Sequence, residues 1–280
     1  MNAVLQGILL GGLYALLACG LSLMFGVMRI INLAHGDIAV IGAFLVWWVS
    51  ARFGVPPFLA LAFALPVMLA FGYLLQMTVL TRSLRAGELT PLLTTFGLAV
   101  VIQNALLLIF SPDVRSLGAQ TGRLATGGWR VGDSLVVPYL GVVILGVAVA
   151  VLGGLHLVLS RTGFGREMRA VAVDPDTAAL VGVPSRVVYA RATALAVGTA
   201  TIAGVFLAVQ STVEPASGPT QLIYAFEAVV IGGLGSLWGT LAGGLVLGVA
   251  QTVGAQIDPQ LSILSGHVVF IAVLGWRSRA

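Results

Sequence analysis

Long apolar runs separated by short polar stretches dominate the chain. They lie at about 3–26, 38–50, 57–80, 91–110, 136–159, 187–209, 222–234, 238–256 and 261–276. An apolar run of roughly 18 residues or more marks a membrane-spanning helix. The pattern therefore predicts an all-α polytopic membrane protein with about eight to ten transmembrane or half-membrane helices. The runs at 38–50, 222–234 and 261–276 are shorter than the ~20 residues a perpendicular helix needs and are expected as half-helices or re-entrant pieces. Two polar stretches exceed a turn. Residues 111–135, which include Gly118, Gly122, Gly127 and Gly128, read as an external loop, and residues 161–186 as a cytoplasmic one. Neither is long enough for a catalytic domain, so residues 1–280 are expected to form one transmembrane domain.

Composition narrows the function. Only 9% of the residues are charged, against about 25% in soluble domains, and the mean hydropathy is +1.06; a soluble enzyme is excluded. All 14 basic residues are arginine. A P-loop needs its lysine to reach the terminal phosphates of ATP, so this chain is not itself a Walker-type ATPase. Lysine Schiff-base chemistry is excluded for the same reason. In a soluble domain a net charge of +4 would suggest nucleic acid, but here the arginines stand between apolar runs and report topology instead. If nine segments alternate, Arg29, Arg82, Arg85, Arg161, Arg166, Arg169, Arg186, Arg191, Arg277 and Arg279 fall on one side. Arg52, Arg115, Arg123 and Arg130 fall on the other. The richer side is expected to be cytoplasmic, with the N-terminus outside and the C-terminus inside. Arg29 follows the first apolar run, the reverse of a secretory leader. The single Cys19 leaves no disulfide framework and no cysteine metal cluster.

Three stretches carry local information. In 173–184, Asp174 suits an N-cap, Pro175 the first helical position, and Asp176 the positive helix end. Gly182 suits the left-handed C′ position and Pro184 prevents continuation, so a capped two-turn helix is expected. So short a helix is marginal alone; Ala178, Leu180 and Val181 offer an apolar knob to a partner, or the helix simply decorates a loop. In 29–37, polar residues and Gly36 interrupt apolar sequence. Irregular backbone at membrane depth is tolerated only where protein buries it or water lines it, so this is a pore-lining break or a plain inside loop. The run Gly232-Gly233-Leu234-Gly235-Ser236 makes a second break, with Glu227 about two turns before it, and an ionisable residue in a span is a functional candidate. Asn32, His35, Asp37, Glu227, Gly233 and Ser236 are therefore the candidate pathway residues.

Other features read as structural. Gly235, Gly239 and Gly243 recur every four residues, as do Gly244 with Gly248 and Gly7 with Gly11, the signature of close helix packing. Gln103 and Asn104 are expected to hydrogen-bond between helices. No catalytic arrangement emerges: Ser262, Ser265 and His267 do not share one helix face, and His35, His156 and His267 lack metal-ligand spacing.

Three segments in order resemble bacterial branched-chain amino acid ABC transporter permeases of the LivH type. The first is Gly12-Leu13-Tyr14-Ala15-Leu16 with Gly20 to Val27 and Ile31 to Asp37; the second is Arg169-Ala170-Val171-Ala172 leading into Asp174–Gly182. The third is Ala225-Phe226 with Gly232 to Ser236 and Gly239. The family usually has an aromatic residue where Leu33 stands and often glutamate where Asp37 stands. The resemblance implies a permease subunit with the helical fold shared with ribose-type permeases, in a bacterial cytoplasmic membrane. Its implied partners are a second related permease, two cytoplasmic ATPase subunits that use the ATP, and an external solute-binding protein; the chain itself would bind no cofactor or metal. Asp174, Pro175, Ala178, Leu180, Val181 and Gly182 would form the ATPase-coupling helix. A permease for urea or short amides is the alternative within the family. An ion-coupled secondary transporter would need intramembrane acids, of which only Glu227 and Asp37 are available.

Overall fold

The computed structural model describes residues 2–87, 89–131 and 135–277. Arg279, and residues 132–134 of the polar stretch, lie outside the described residues. Each of the nine apolar runs contains a helix. In order they are α1 (Asn2–Met28), α2 (His35–Phe53), α3 (Pro57–Arg85), α4 (Thr90–Phe110) and α5 (Tyr139–Arg161). Two further helices, α6 (Gly163–Val173) and α7 (Pro175–Leu180), occupy the arginine-rich stretch. The chain continues through α8 (Ser185–Gln210), α9 (Gly218–Gly232), α10 (Leu237–Ile257) and α11 (Leu261–Arg277).

Among the described residues seven helices, α1 to α5, α8 and α10, are long and apolar enough to cross a membrane. The expected half-helices are two, not three. α9 and α11 have 15 and 17 residues, about 22 and 26 Å at the α-helical rise, short of a ~30 Å hydrocarbon core. The run at 38–50 looked short because His35 and Asp37 interrupt its hydropathy. Both are buried in the first turn of a 19-residue helix.

α1 is apolar on every side, and such a helix belongs in the middle of a bundle. It is buried along most of its length between α5, α8, α9 and α10, whereas α3, α4 and α5 keep broad apolar faces outward. Glycine permits the central contacts. A Cβ on Gly11 would lie 2.6 Å from the Gly244 carbonyl oxygen, and one on Gly244 2.8 Å from that of Gly11. The α1 and α10 backbones therefore touch, as the four-residue glycine spacing predicts. Gly239 and Gly243 do the same for α10 against α9, where they meet Gly232 and Ala228.

α3 changes winding where it passes α8. Gln76–Leu80 form a π turn, and the Thr81 hydroxyl donates to the Gln76 carbonyl at 2.7 Å. The Gln76 amide oxygen accepts from the Thr193 hydroxyl at 2.8 Å, and Arg186 donates to the Met77 carbonyl at 3.2 Å. Side-chain hydroxyls and a guanidinium thus serve carbonyls and an amide at the disturbed ladder.

The stretch read as a loop at 111–135 is more ordered than expected. It holds a 3-10 turn (Gly118–Thr121), a short helix (Arg123–Thr126) and an antiparallel pair, β1 (Gly128–Val131) with β2 (Leu135–Pro138). Trp129 faces Val137 across the pair and packs edge-on to Tyr139 at 4.4 Å. Leu117 donates its N–H to the Ala208 carbonyl at 2.7 Å, and Arg115 bridges Val213. These bonds hold the stretch over the end of α8. Asn104 also departs from expectation, because its amide donates back to Val100 of its own helix at 2.8 Å.

Candidate functional site: two buried breaks and a capped helix

The first break begins at Arg29, whose φ of 54° turns the chain out of α1. The Asn32 side-chain oxygen accepts the Ala34 N–H at 3.0 Å, and its carbonyl accepts the His35 N–H at 3.1 Å. This local turn lets a fully buried asparagine satisfy the backbone as α2 starts. His35 Nε2 donates to the Leu17 carbonyl at 2.8 Å. Leu17 lies 11 residues before Met28, about 16 Å back along α1. The chain therefore folds back into the bundle before α2 begins. The His35 ring is wedged between α1 and α8, since a Cβ on Gly20 would lie 2.7 Å from both His35 Cε1 and Thr199 Oγ1.

Asp37 follows in the first turn of α2. Its carboxylate is buried, and neither oxygen has a hydrogen-bond partner of good geometry among the described residues. Gln103 of α4 faces it at longer range. The carboxylate packs against Gly218, the first residue of α9. Two helix N-termini, those of α2 and α9, thus converge on one acid.

The second break holds Gly233 and Gly235 at φ 99° and 82°, conformations that glycine adopts without strain. The Ser236 hydroxyl caps α10 by accepting the Gly239 N–H at 3.1 Å. Arg277 from α11 donates to the Val230 carbonyl at 2.8 Å, placing a cation at the C-terminus of α9. Gly233 and Ser236 therefore shape a turn between two short-range caps.

Glu227 does not line this turn. It is buried inside the bundle, where one carboxylate oxygen bonds His267 Nδ1 and the other has no partner among the described residues. Tyr14 and Tyr224 stand beside it with ring centroids 5.1 Å apart, and the Tyr14 hydroxyl donates to Gln251 at 2.5 Å. Tyr14, Gln251 and His267 were absent from the sequence-derived set because they lie far apart in the chain. The only signal was that each is a polar residue within an apolar run. Ser265 spends its hydroxyl on the Ala250 and Ser262 carbonyls and does not pair with His267. Because the acid is buried, removing its partner is expected to cost more than neutralising it. His267→Ala should lower the thermal midpoint of the purified protein by more than Glu227→Gln, with losses on the order of 1–3 kcal/mol. Equal midpoints for the two variants would remove the pair from the stability argument.

The 173–184 stretch folds as its residues dictate. Asp174 Oδ1 accepts the Asp176 and Thr177 N–H groups at 3.0 and 3.1 Å, and Oδ2 accepts the Thr177 hydroxyl at 2.5 Å. The Thr177 hydroxyl and N–H hold the Asp174 carboxyl below its ordinary range. The cap therefore persists as pH falls through the usual carboxylate range and is lost only below it. At the other end Gly182 is at φ 84°, its N–H bonds the Ala179 carbonyl, and Val183 N–H bonds that of Ala178 at 3.0 Å. This double bond pattern is the Schellman stop. Pro175 opens α7 as expected. Ala178 turns inward and is buried, whereas Leu180 is 87% and Val181 75% exposed. The outward apolar knob is thus Leu180 with Val181 and excludes Ala178.

Residues 3–274 match the family described as branched-chain amino acid transport system / permease component. The chain is 35% identical over 271 residues to the high-affinity branched-chain amino acid transport system permease protein BraD of Pseudomonas aeruginosa, covering 92% of this chain and 87% of that protein. It is 28% identical to LivH of Salmonella typhimurium over 98% of this chain and 92% of that protein. It is 29% identical to the fructose import permease protein FrcC of Rhizobium meliloti, over 87% and 69% of the two chains. The glycine-packed helices, the buried breaks and the capped helix thus stand in a chain matched almost end to end, and this protein belongs to the branched-chain amino acid transport system permease family.

Proposed function

We propose that this chain is the membrane subunit of an ATP-driven importer that carries branched-chain or other hydrophobic amino acids. The observation that carries the substrate class is its 35% identity to BraD along nearly the full length of both chains. The absence of lysine from the sequence supports a division of labour in which other subunits hydrolyse ATP. The assembly on this reading contains a second related permease, two ATPases on the arginine-rich side and a solute-binding protein opposite. That places the N-terminus outside and the C-terminus in the cytoplasm of a bacterial inner membrane.

On this reading α7 is the coupling element, because a helix too short to be stable alone is capped at both ends and presents Leu180 and Val181 outward. A push on α7 reaches Arg186 at the start of α8, and through it the Met77 carbonyl in the π turn of α3. The breaks at Asn32–Asp37 and Gly232–Ser236 flank the path. Irregular backbone and a buried acid are kept where helices part.

Reconstitution tests this. The purified chain alone in liposomes should accumulate no leucine, with or without ATP. Together with the two ATPases, second permease and binding protein it should accumulate leucine only with ATP. Cysteines placed at Asn32 and Gly233 should react with aqueous reagents to an extent that changes with ATP. Accumulation by the chain alone would end the importer reading, and labelling no better than at the lipid-facing Leu108 would move the path elsewhere.

A further inference from the structure

On the arginine-rich side of the bundle, a cavity of about 270 Å³ opens between α1, α5, α6 and the start of α10. Its polar lining is Ser22, His156, Ser160 and Arg169, and Gly26 and Gly235 also line it. Ser22 is fully buried, yet its hydroxyl has no hydrogen-bond partner among the described residues. A buried hydroxyl without a partner is costly, so this one is expected to serve a group that enters the cavity. Ser22 and Gly20 are two residues apart, about 200° around the helix. The cavity is therefore on the opposite face of α1 from His35, outside the first break.

The chemistry of the lining selects the occupant. Arg169 gives one N–H to the Leu159 carbonyl at the end of α5, and the guanidinium retains further donors. Arg161 and Arg166 lie on the same stretch. The one acid on α6, Glu167, is already paired with Arg191 at 3.5 Å. The site thus offers hydroxyls and positive charge to an anion. Its depth is also specific: it is lined by residues at the last turns of α1 and α5 and the first residue of α10. That is where helices leave hydrocarbon for the headgroup layer. Beside it, Leu157 and Trp238 are exposed, and the His156 and Trp238 rings lie 6.0 Å apart. An apolar border next to an anion site suits a ligand with a phosphate and an acyl tail.

We propose that this cavity binds the phosphate headgroup of an anionic phospholipid, with Arg169, Ser160 and Ser22 on the phosphate and the tails lying along Leu157 and Trp238. Arginine is suited to phosphate because its donors form a rigid fork, and anionic leaflets already favour basic segments at this depth. The site stands apart from the importer reading, since it needs neither substrate nor ATPase.

The test uses the purified full-length protein in detergent with phosphatidylglycerol, phosphatidylethanolamine or inorganic phosphate added separately. Native mass spectrometry should retain phosphatidylglycerol adducts, and that lipid should raise the thermal midpoint more than the other two additions do. Arg169→Gln should weaken phosphatidylglycerol binding about tenfold and remove its thermal shift. Ser160→Glu, at an exposed position that tolerates change, should do the same by repulsion and covers the case in which Arg169→Gln fails to fold. If inorganic phosphate matches phosphatidylglycerol, the site is a plain anion site and the lipid assignment is wrong. If Ser160→Glu binds phosphatidylglycerol as tightly as the parent, the headgroup is held elsewhere.

Discussion

Leu180→Asp should leave the chain folded and inserted while abolishing ATP-driven leucine uptake. Leu180 is 87% exposed, so a charge there meets water in the free subunit, and surface changes of this kind usually stay within about 0.5 kcal/mol. In the assembled importer the same position is expected to lie in an apolar groove of the ATPase. An uncompensated carboxylate buried there costs roughly 3 kcal/mol, about a hundredfold in affinity. The ATPase should no longer co-purify with the permease. Ala178→Arg gives a useful contrast, because Ala178 is 4% exposed and faces the chain's own core. That variant should lose thermal stability before any question of docking arises. Asp174→Ala, which removes the N-cap but leaves the knob, should weaken coupling only partly. The comparison needs uptake and co-purification at matched membrane levels. Normal assembly with Leu180→Asp would reduce α7 to a decorated loop.

The largest effect on the fold itself is expected at the α1–α10 contact. Gly244→Val would place a branched side chain where even a Cβ lies 2.8 Å from both the Gly11 carbonyl and the Ala15 nitrogen. Backbone cannot yield as a flexible side chain does. Overpacking of about 1–3 kcal/mol is therefore a lower bound here, and the variant should aggregate or run as a broadened peak on size exclusion. Gly97→Ala on α4 is the control, since nothing lies within 4 Å of its Cβ position. That change should be neutral or stabilise by roughly 0.4–1 kcal/mol, through the helix propensity of alanine. A normal elution profile and midpoint for Gly244→Val would mean that α1 and α10 separate at little cost.

The sequence carried the helices because their signal is local. Nine apolar runs became nine helices, and the caps of α7 fell on Asp174 and Gly182 because capping depends on adjacent backbone alone. What failed was whatever depends on distant partners. α2 looked three residues too short at its start, since hydropathy counts His35 and Asp37 as interruptions and cannot know that α8 and α9 bury them. α6 was missed because its alternation of Arg166, Met168, Arg169 and Val171 resembles a loop until one face is covered. Ala178 looked available for docking because a two-turn helix does not declare which face its own chain will cover. The Glu227–His267 pair joins residues 40 apart, and nothing near either residue points to the other.

The position of α1 has a consequence in time. Its Tyr14 bonds Gln251, 237 residues further along the chain. During synthesis α1 emerges long before the α10 surface that closes over Gly7 and Gly11. Until then those glycines and the Tyr14 hydroxyl must wait against lipid or against whatever assists insertion. An all-round apolar helix can do this, because lipid satisfies every one of its faces equally well. The uniformity that gives α1 no preferred side is what lets it be inserted early and enclosed late. A chain interrupted before α10 would therefore stay in the membrane with its central seam open, in a form suited to recognition by quality control.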